Sequence, residues 1–177
     1  GIFSNKNKDI PNISLFIKFK HLRKIYDDRE KAIASGINDI NPQKVPCKIS
    51  DGVKELSCKV RLKGFLGDHW KEKSRLSLRI EIKEGYINGL QNFAIQKARA
   101  RQFPYNQTFH KINSGIGGIS SNDERFINFK VNNENWGVMN IEPIPDNKFI
   151  ESLSIKRSGV FRLSNKDKWS YPKLHYN

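Results

Sequence analysis

The sequence predicts an α+β domain, a twisted and mostly antiparallel sheet with a helix packed on it. Three observations predict this class. Leu76, Leu78, Ile80 and Ile82 alternate with Ser77, Arg79 and Glu81, and Ile127, Phe129 and Val131 alternate with Asn128 and Lys130, the period of strands with one buried face. Asp51-Gly52 stands between two further strand-like stretches, residues 45–50 and 53–63, as a type I′ hairpin turn would. Helical spacing is confined to short stretches, so sheet dominates the middle of the chain.

In chain order, residues 1–13 are polar and read as an arm, residues 14–163 as the domain, and residues 164–177 as a tail without pattern. Leu15, Phe16, Ile17 and Phe19 suit an edge strand. Leu22, Ile25, Tyr26, Ala32 and Ile33 give a helix over residues 21–35, with Gly36 placed to end it in a left-handed conformation. Residues 60–83 organise the rest: two strand-like ends enclose a turn, residues 64–70, that holds two glycines, Asp68, His69 and Trp70. Residues 93–95 are a short strand. Pro104 suits the first position of a helix over 104–113, whose stripe Tyr105, Phe109, Ile112 is expected in the core. Residues 114–118 are glycine-rich and follow a helix, so they read as a helix stop and link and not as a dinucleotide fingerprint. Residues 125–131 and 136–141 form an antiparallel pair, a helix is expected over 146–155, and a last strand over 159–163.

The 177 residues carry 32 Lys and Arg against 18 Asp and Glu, a net charge of +14. That surplus favours polyanionic partners: nucleic acid, nucleotide phosphates or anionic envelope polymers. No apolar run approaches the roughly 18 residues of a membrane span, and residues 1–9 lack the apolar segment of a secretory leader. Cys47 and Cys58 flank the expected hairpin, where they either pair across it or remain two buried thiols. His21, His69, His110 and His175 lie far apart, without metal-ligand spacing. A hydrolase is disfavoured by the lack of a GxSxG motif and of a usable carboxylate pair.

The candidate site is cationic. Arg61, Lys63, Arg75 and Arg79 share the polar face of their strands, which is either simply wet or presented to an anion. Lys97, Arg99 and Arg101 precede the 104–113 helix and oppose its dipole, so either solvent tolerates them or an anion binds there.

An ordered set of segments resembles the spore coat protein H (CotH) kinase-like family over residues 15–170. The segments are Asp27 to Gly36, Val60-Arg-Leu-Lys-Gly64 with Asp68-His69, Ser77-Leu-Arg79, Asn92 to Gln96, Arg99-Ala-Arg101, Phe109-His110, and above all Arg125 to Val131 with Trp136-Gly-Val-Met-Asn-Ile-Glu142. The resemblance implies the N-terminal lobe of a protein-kinase-like fold in a bacterial protein of the cytoplasm or cell envelope. It implies ATP and Mg²⁺ as cofactors of a complete protein, with none required by this chain. It also implies a C-terminal lobe on a longer chain or on a partner. Nucleotide or phosphate would be bound by Arg61, Lys63, Asp68, His69, Lys73, Arg75, Arg79 and Glu142. The family's phosphate-binding lysine falls on Arg75, with Lys73 as substitute, and its paired glutamate falls on Asn106. No carboxylate follows Trp169 in the sequence given to serve Mg²⁺. The expectation is therefore a pseudokinase-like lobe that binds nucleotide or phosphate without transferring it. The alternative is a basic module for nucleic acid, another polyanion or an envelope polymer.

Overall fold

The computed structural model describes residues 10–38, 41–116 and 124–144. The chain divides into two compact units between Ile144 and Pro145. The second unit lies outside the described residues, and with it the helix expected at 146–155, the strand at 159–163 and the boundary at 163–164. Residues 1–9 of the expected arm also lie outside, while the first strand begins at Asn12.

The first unit is a closed barrel. Its strands are β1 (Asn12–Phe16), β2 (Val45–Ser50), β3 (Glu55–Leu62), β4 (Leu78–Ile82), β5 (Asn92–Gln96), β6 (Arg125–Val131) and β7 (Glu134–Pro143), and they close in the order β1-β2-β3-β4-β5-β7-β6. Every neighbouring pair is antiparallel except β1 and β6, which run parallel from Asn12 opposite Asn128 to Leu15 opposite Val131. Among the described residues two α-helices join the ring, α1 (Phe19–Ser35) and α2 (Tyr105–Ile116).

Alternation fixes the inside. Ile13 and Leu15, Cys47 and Ile49, Val60 and Leu62, Leu78 and Ile80, Phe93 and Ile95, Ile127 and Phe129, Met139 and Ile141 point inward into one apolar cluster. Cys47 and Cys58 face each other across β2 and β3 and form a disulfide. At Gly137 (φ +74°) β7 carries one residue more than β6, between the pairs Phe129–Gly137 and Lys130–Asn135. This bulge resets the alternation, so Trp136 turns inward with Met139 and stacks edge-on against Phe129, ring centroids 5.7 Å apart. The hairpin at Asp51-Gly52 is a four-residue connection, since Ser50 pairs with Glu55. Only Gly52 of the two has positive φ, and Asp51 Oδ1 accepts from the amides of Val53 and Lys54, so this is an Asx-type turn and not type I′. Those amides hold the Asp51 carboxyl below its ordinary range, Lys54 first.

The barrel corrects the expected open sheet with a packed helix, and with it the kinase-like N-terminal lobe. Periodicity reports which face of a strand is buried but not which strand lies beside it. The edge strand expected at Leu15, Phe16, Ile17 and Phe19 is instead residues 12–16, bonded on both sides, to β2 and to the distant β6. The helix expected to pack its apolar stripe on a sheet face does not do so. Tyr105, Phe109 and Ile112 are 75%, 60% and 56% exposed.

At one end of the barrel, β1, β3 and β5 finish and β2 and β4 begin. The long connections gather there: residues 17–44 with α1, and residues 63–77 with a 3₁₀ turn at Gly67–His69. Residues 97–116 start there too, and Glu124, just before β6, accepts from Asn140 on the outer face of β7. α1 lies against β2 and β3 and adds Ile25 and Ala32 to the apolar cluster. It ends as its glycine requires, with Gly36 at φ +74° and its amide donating to Ile33.

The parallel seam is locked at its upper end by Asn132. Its amide side chain accepts from Ile17 N and donates to Ile17 O, both at 2.8 Å, and its backbone N–H donates to Leu15 O. Its φ of +48° is one that asparagine tolerates. Asn132→Ala leaves both backbone groups of Ile17 without these partners and is expected to cost about 1–3 kcal/mol in urea denaturation. Asn133→Ala, at φ +69°, carries similar backbone strain without that loss and should cost less.

Candidate functional site

Residues 63–77 are held from three sides. The guanidinium of Arg29, on α1 and 8% exposed, donates to the carbonyls of Trp70, Lys71 and Glu72 and pairs with Glu30. Three carbonyl dipoles and a carboxylate compensate a cation that burial alone would expel. Asn38 donates from its side chain to Gly64 O and from its backbone to Phe65 O. Within the loop, His69 Nδ1 and Ser77 Oγ are 2.8 Å apart, and His69 O accepts from Ser77 N. Gly64 has φ +100°, and a Cβ there would lie 2.1 Å from the His69 ring, so only glycine fits.

Asp68, His69 and Ser77 thus form an acid–imidazole–hydroxyl series, Asp68 Oδ1 lying 3.9 Å from His69 Nε2. The 3₁₀ turn brings together side chains that an extended chain would send apart. Ser77 is fully buried, so its hydroxyl is not offered to a substrate, and the series holds the loop.

The predicted cations separate into two groups. Arg61, Lys63 and Arg79 stand on the outer face of β3 and β4 or just beyond it, where Arg61 is directly opposite Arg79. The Lys63 ammonium meets the Glu142 carboxylate and Gln96 Oε1, 3.0 Å away. Arg79 reaches Glu81 and Asn92 Oδ1, and Arg61 donates to Leu62 O. Glu142, which the resemblance set among the nucleotide-binding residues, therefore lies beside Lys63 on the barrel wall. β5 and residues 139–143 of β7 are covered on both faces, so Gln96, Asn140 and Glu142 are 0%, 1% and 3% exposed although they point away from the barrel core. Asn140 Nδ2 donates to Glu124 Oε2, and Glu124 Oε1 accepts from Asn106 of α2, so Asn106, where the resemblance implied the loss of a glutamate, serves a structural bond.

The second group is on the loops. Lys73 is exposed, and Arg75, at φ +59°, donates to Val138 O. Sequence reasoning missed Glu72, which joins this loop to the next: Lys97 Nζ is 2.8 Å from Glu72 Oε1. The hydrogen bond from Lys97 holds the Glu72 carboxyl below its ordinary range, and the charges of Lys97, Arg75 and Arg99 add to it against the opposing effect of burial. Lys97 thus ties the second connection to the first at this carboxylate, with Lys71 and Lys73 exposed on either side of it in sequence. The basic run from Lys97 was the visible signal; its meeting with residues 72–75 was not.

Among the described residues no three His, Cys, Asp or Glu side chains stand close enough to share a metal ion, and no helix is long and apolar enough to cross a membrane. No protein-family model matches the chain, and no curated protein matches it in sequence.

Lys63→Met leaves the Glu142 carboxylate buried without the ammonium beside it and should destabilise by about 3–5 kcal/mol. Lys63→Met/Glu142→Gln should recover much of this in urea denaturation; strictly additive losses would show that the two are uncoupled. The Glu72 pair behaves differently, because the carboxylate side chain is 60% exposed. A depressed carboxyl pKa contributes stability above the unfolded-state pKa and loses it as pH falls through the folded-state pKa. Glu72→Gln should therefore cost only about 0.2–1 kcal/mol near neutral pH, with the difference in Tm vanishing in acid.

Proposed function

We propose that this chain is a polyanion-binding module that takes a phosphate-rich chain on the loop-bearing end of the barrel, through Lys73, Arg75, Lys97 and Arg99. The observation that carries the reading is the Lys97–Glu72 pair, which joins two basic stretches from separate connections, residues 71–75 and 97–99. Like charges gathered on neighbouring loops repel, and one carboxylate offsets only part of that repulsion. A ligand bearing regularly spaced negative charge would offset the rest and release its own counterions. Lys73 and Arg99 are exposed, so the patch suits an extended ligand laid along a surface.

What the family resemblance adds is its phosphate-binding cation, which falls on Arg75 or Lys73, both in this patch; the N-lobe layout does not return with it. Binding, with no covalent step, is the whole of the assigned activity. The outer face of β3 and β4 is the competing location. There Arg61 lies opposite Arg79, a cross-strand pair of like charges that disfavours the sheet, and an anion would relieve it too.

Fluorescence anisotropy with labelled single-stranded RNA, duplex DNA and polyphosphate, over a range of salt, tests both. Lys73→Glu/Arg99→Glu should weaken binding about tenfold or more and lower the slope of log K against log salt by about 1.5–2. Unchanged affinity in that variant, with loss in Arg61→Ala/Arg79→Ala, moves the site to the barrel wall. Wild-type binding that ignores salt, or none at all, overturns the proposal. The rank of the three ligands identifies the polyanion.

A further inference from the structure

α2 meets the barrel with its polar edge. Asn106 donates to Glu124, His110 Nε2 lies 4.0 Å from the same carboxylate, and Gln107 borders a shallow depression together with Asn140 and Glu124. None of the helix's residues is buried. The apolar stripe Tyr105, Phe109, Ile112 and Ile116 faces outward, 75%, 60%, 56% and 69% exposed, and Phe103, 51% exposed, precedes it. An amphipathic helix on a globular domain ordinarily buries that stripe. Spacings of four, three and four residues keep the four side chains in one line about 16 Å long, a convex apolar ridge. Exposed ridges of this kind mark interaction surfaces.

Charge narrows the occupant. Lys111 on the same helix and Arg99 just before it are exposed, and the chain carries +14. A second copy would bring equal positive charge to the ridge. Nucleobases would stack on Phe103, Tyr105 and Phe109, but Ile112 and Ile116 offer no ring face. An anionic lipid surface supplies both partners, acyl chains for the ridge and negative headgroups for the cations. The helix, 12 residues long, is too short to span a bilayer and suited to lie along one.

We propose that α2 is an interfacial lipid-binding helix, lying along an anionic bilayer with Phe109, Ile112 and Ile116 among the acyl chains and Lys111 at the headgroups. The apolar ridge is separate from the loop cations around Glu72, of which only Arg99 lies beside it in sequence, and different variants test the two.

The test is flotation with vesicles of phosphatidylcholine alone or mixed with phosphatidylglycerol, using the full chain. The wild type should float with the mixed vesicles and much less with the neutral ones. Phe109→Ser/Ile112→Ser should weaken that association by about tenfold or more, while far-ultraviolet circular dichroism and polyphosphate binding stay as in the wild type. Lys111→Glu should weaken it less, in a salt-dependent way. Three outcomes overturn the proposal: no flotation of the wild type, equal flotation of wild type and double variant, or a dimer in sedimentation velocity that the double variant dissolves.

Discussion

A ring of strands that alternate direction at every step must contain an even number of them. This barrel has seven, so one neighbouring pair has to run parallel, and β1 against β6 is that pair. Much of the architecture rests on this seam. It closes the ring, removes the two edges that an open sheet would expose, and makes the interior a sealed apolar core. It also explains the care taken at its upper end, where the side chain of Asn132 substitutes for a strand residue opposite Ile17. A backbone continuation in β geometry would have extended the strand; the left-handed Asn132 ends it and still satisfies Ile17.

The charged residues near the loop-bearing end have two distinct uses. Those on the barrel wall meet partners of opposite charge: Lys63 with Glu142, Arg79 with Glu81, and Lys44 also with Glu81. Those on the loops are cationic in excess, around a single glutamate. The Lys63–Glu142 pair is expensive to break because Glu142 is nearly inaccessible, whereas Lys73, Arg99 and Glu72 on the loops are wet and individually worth little to stability. A surface of cheap, exposed and like charges is free to be used for recognition. The Arg29 clamp makes it a fixed surface, since three successive carbonyls of residues 70–72 are bound to the helix behind them.

Local features were legible in the sequence because their causes are local. The alternation of Leu78, Ile80 and Ile82 places β4, and Gly36 ends α1 where a left-handed residue was expected. Asn92–Gln96 was harder: covered on both faces, it shows no alternation, and a buried Gln96 reads in sequence as an exposed one. The seam between β1 and β6 was not legible at all, because one apolar face looks the same on an edge strand as on a strand paired twice. The same blindness reversed α2. A stripe of Tyr105, Phe109 and Ile112 announces an amphipathic helix, but the spacing is silent on which side is turned to the barrel. In the site, Lys73 and Arg75 could be named from their residue type. Glu72 could not, because its role depends on Lys97, which only the fold brings beside it.

The seam also dictates an order of assembly during synthesis. Strands β1 to β5 emerge as a run of adjacent antiparallel neighbours and can zip in sequence. β1 then waits with one ladder edge unfilled until the chain has been made through Val131, its partner at the far end of the register. For that interval the nascent chain presents an open, apolar-faced sheet, the state most exposed to pairing with another chain. Closure brings together residues more than a hundred positions apart, and contacts of such separation are slow to form. The strands of the barrel that are made last therefore protect the one made first.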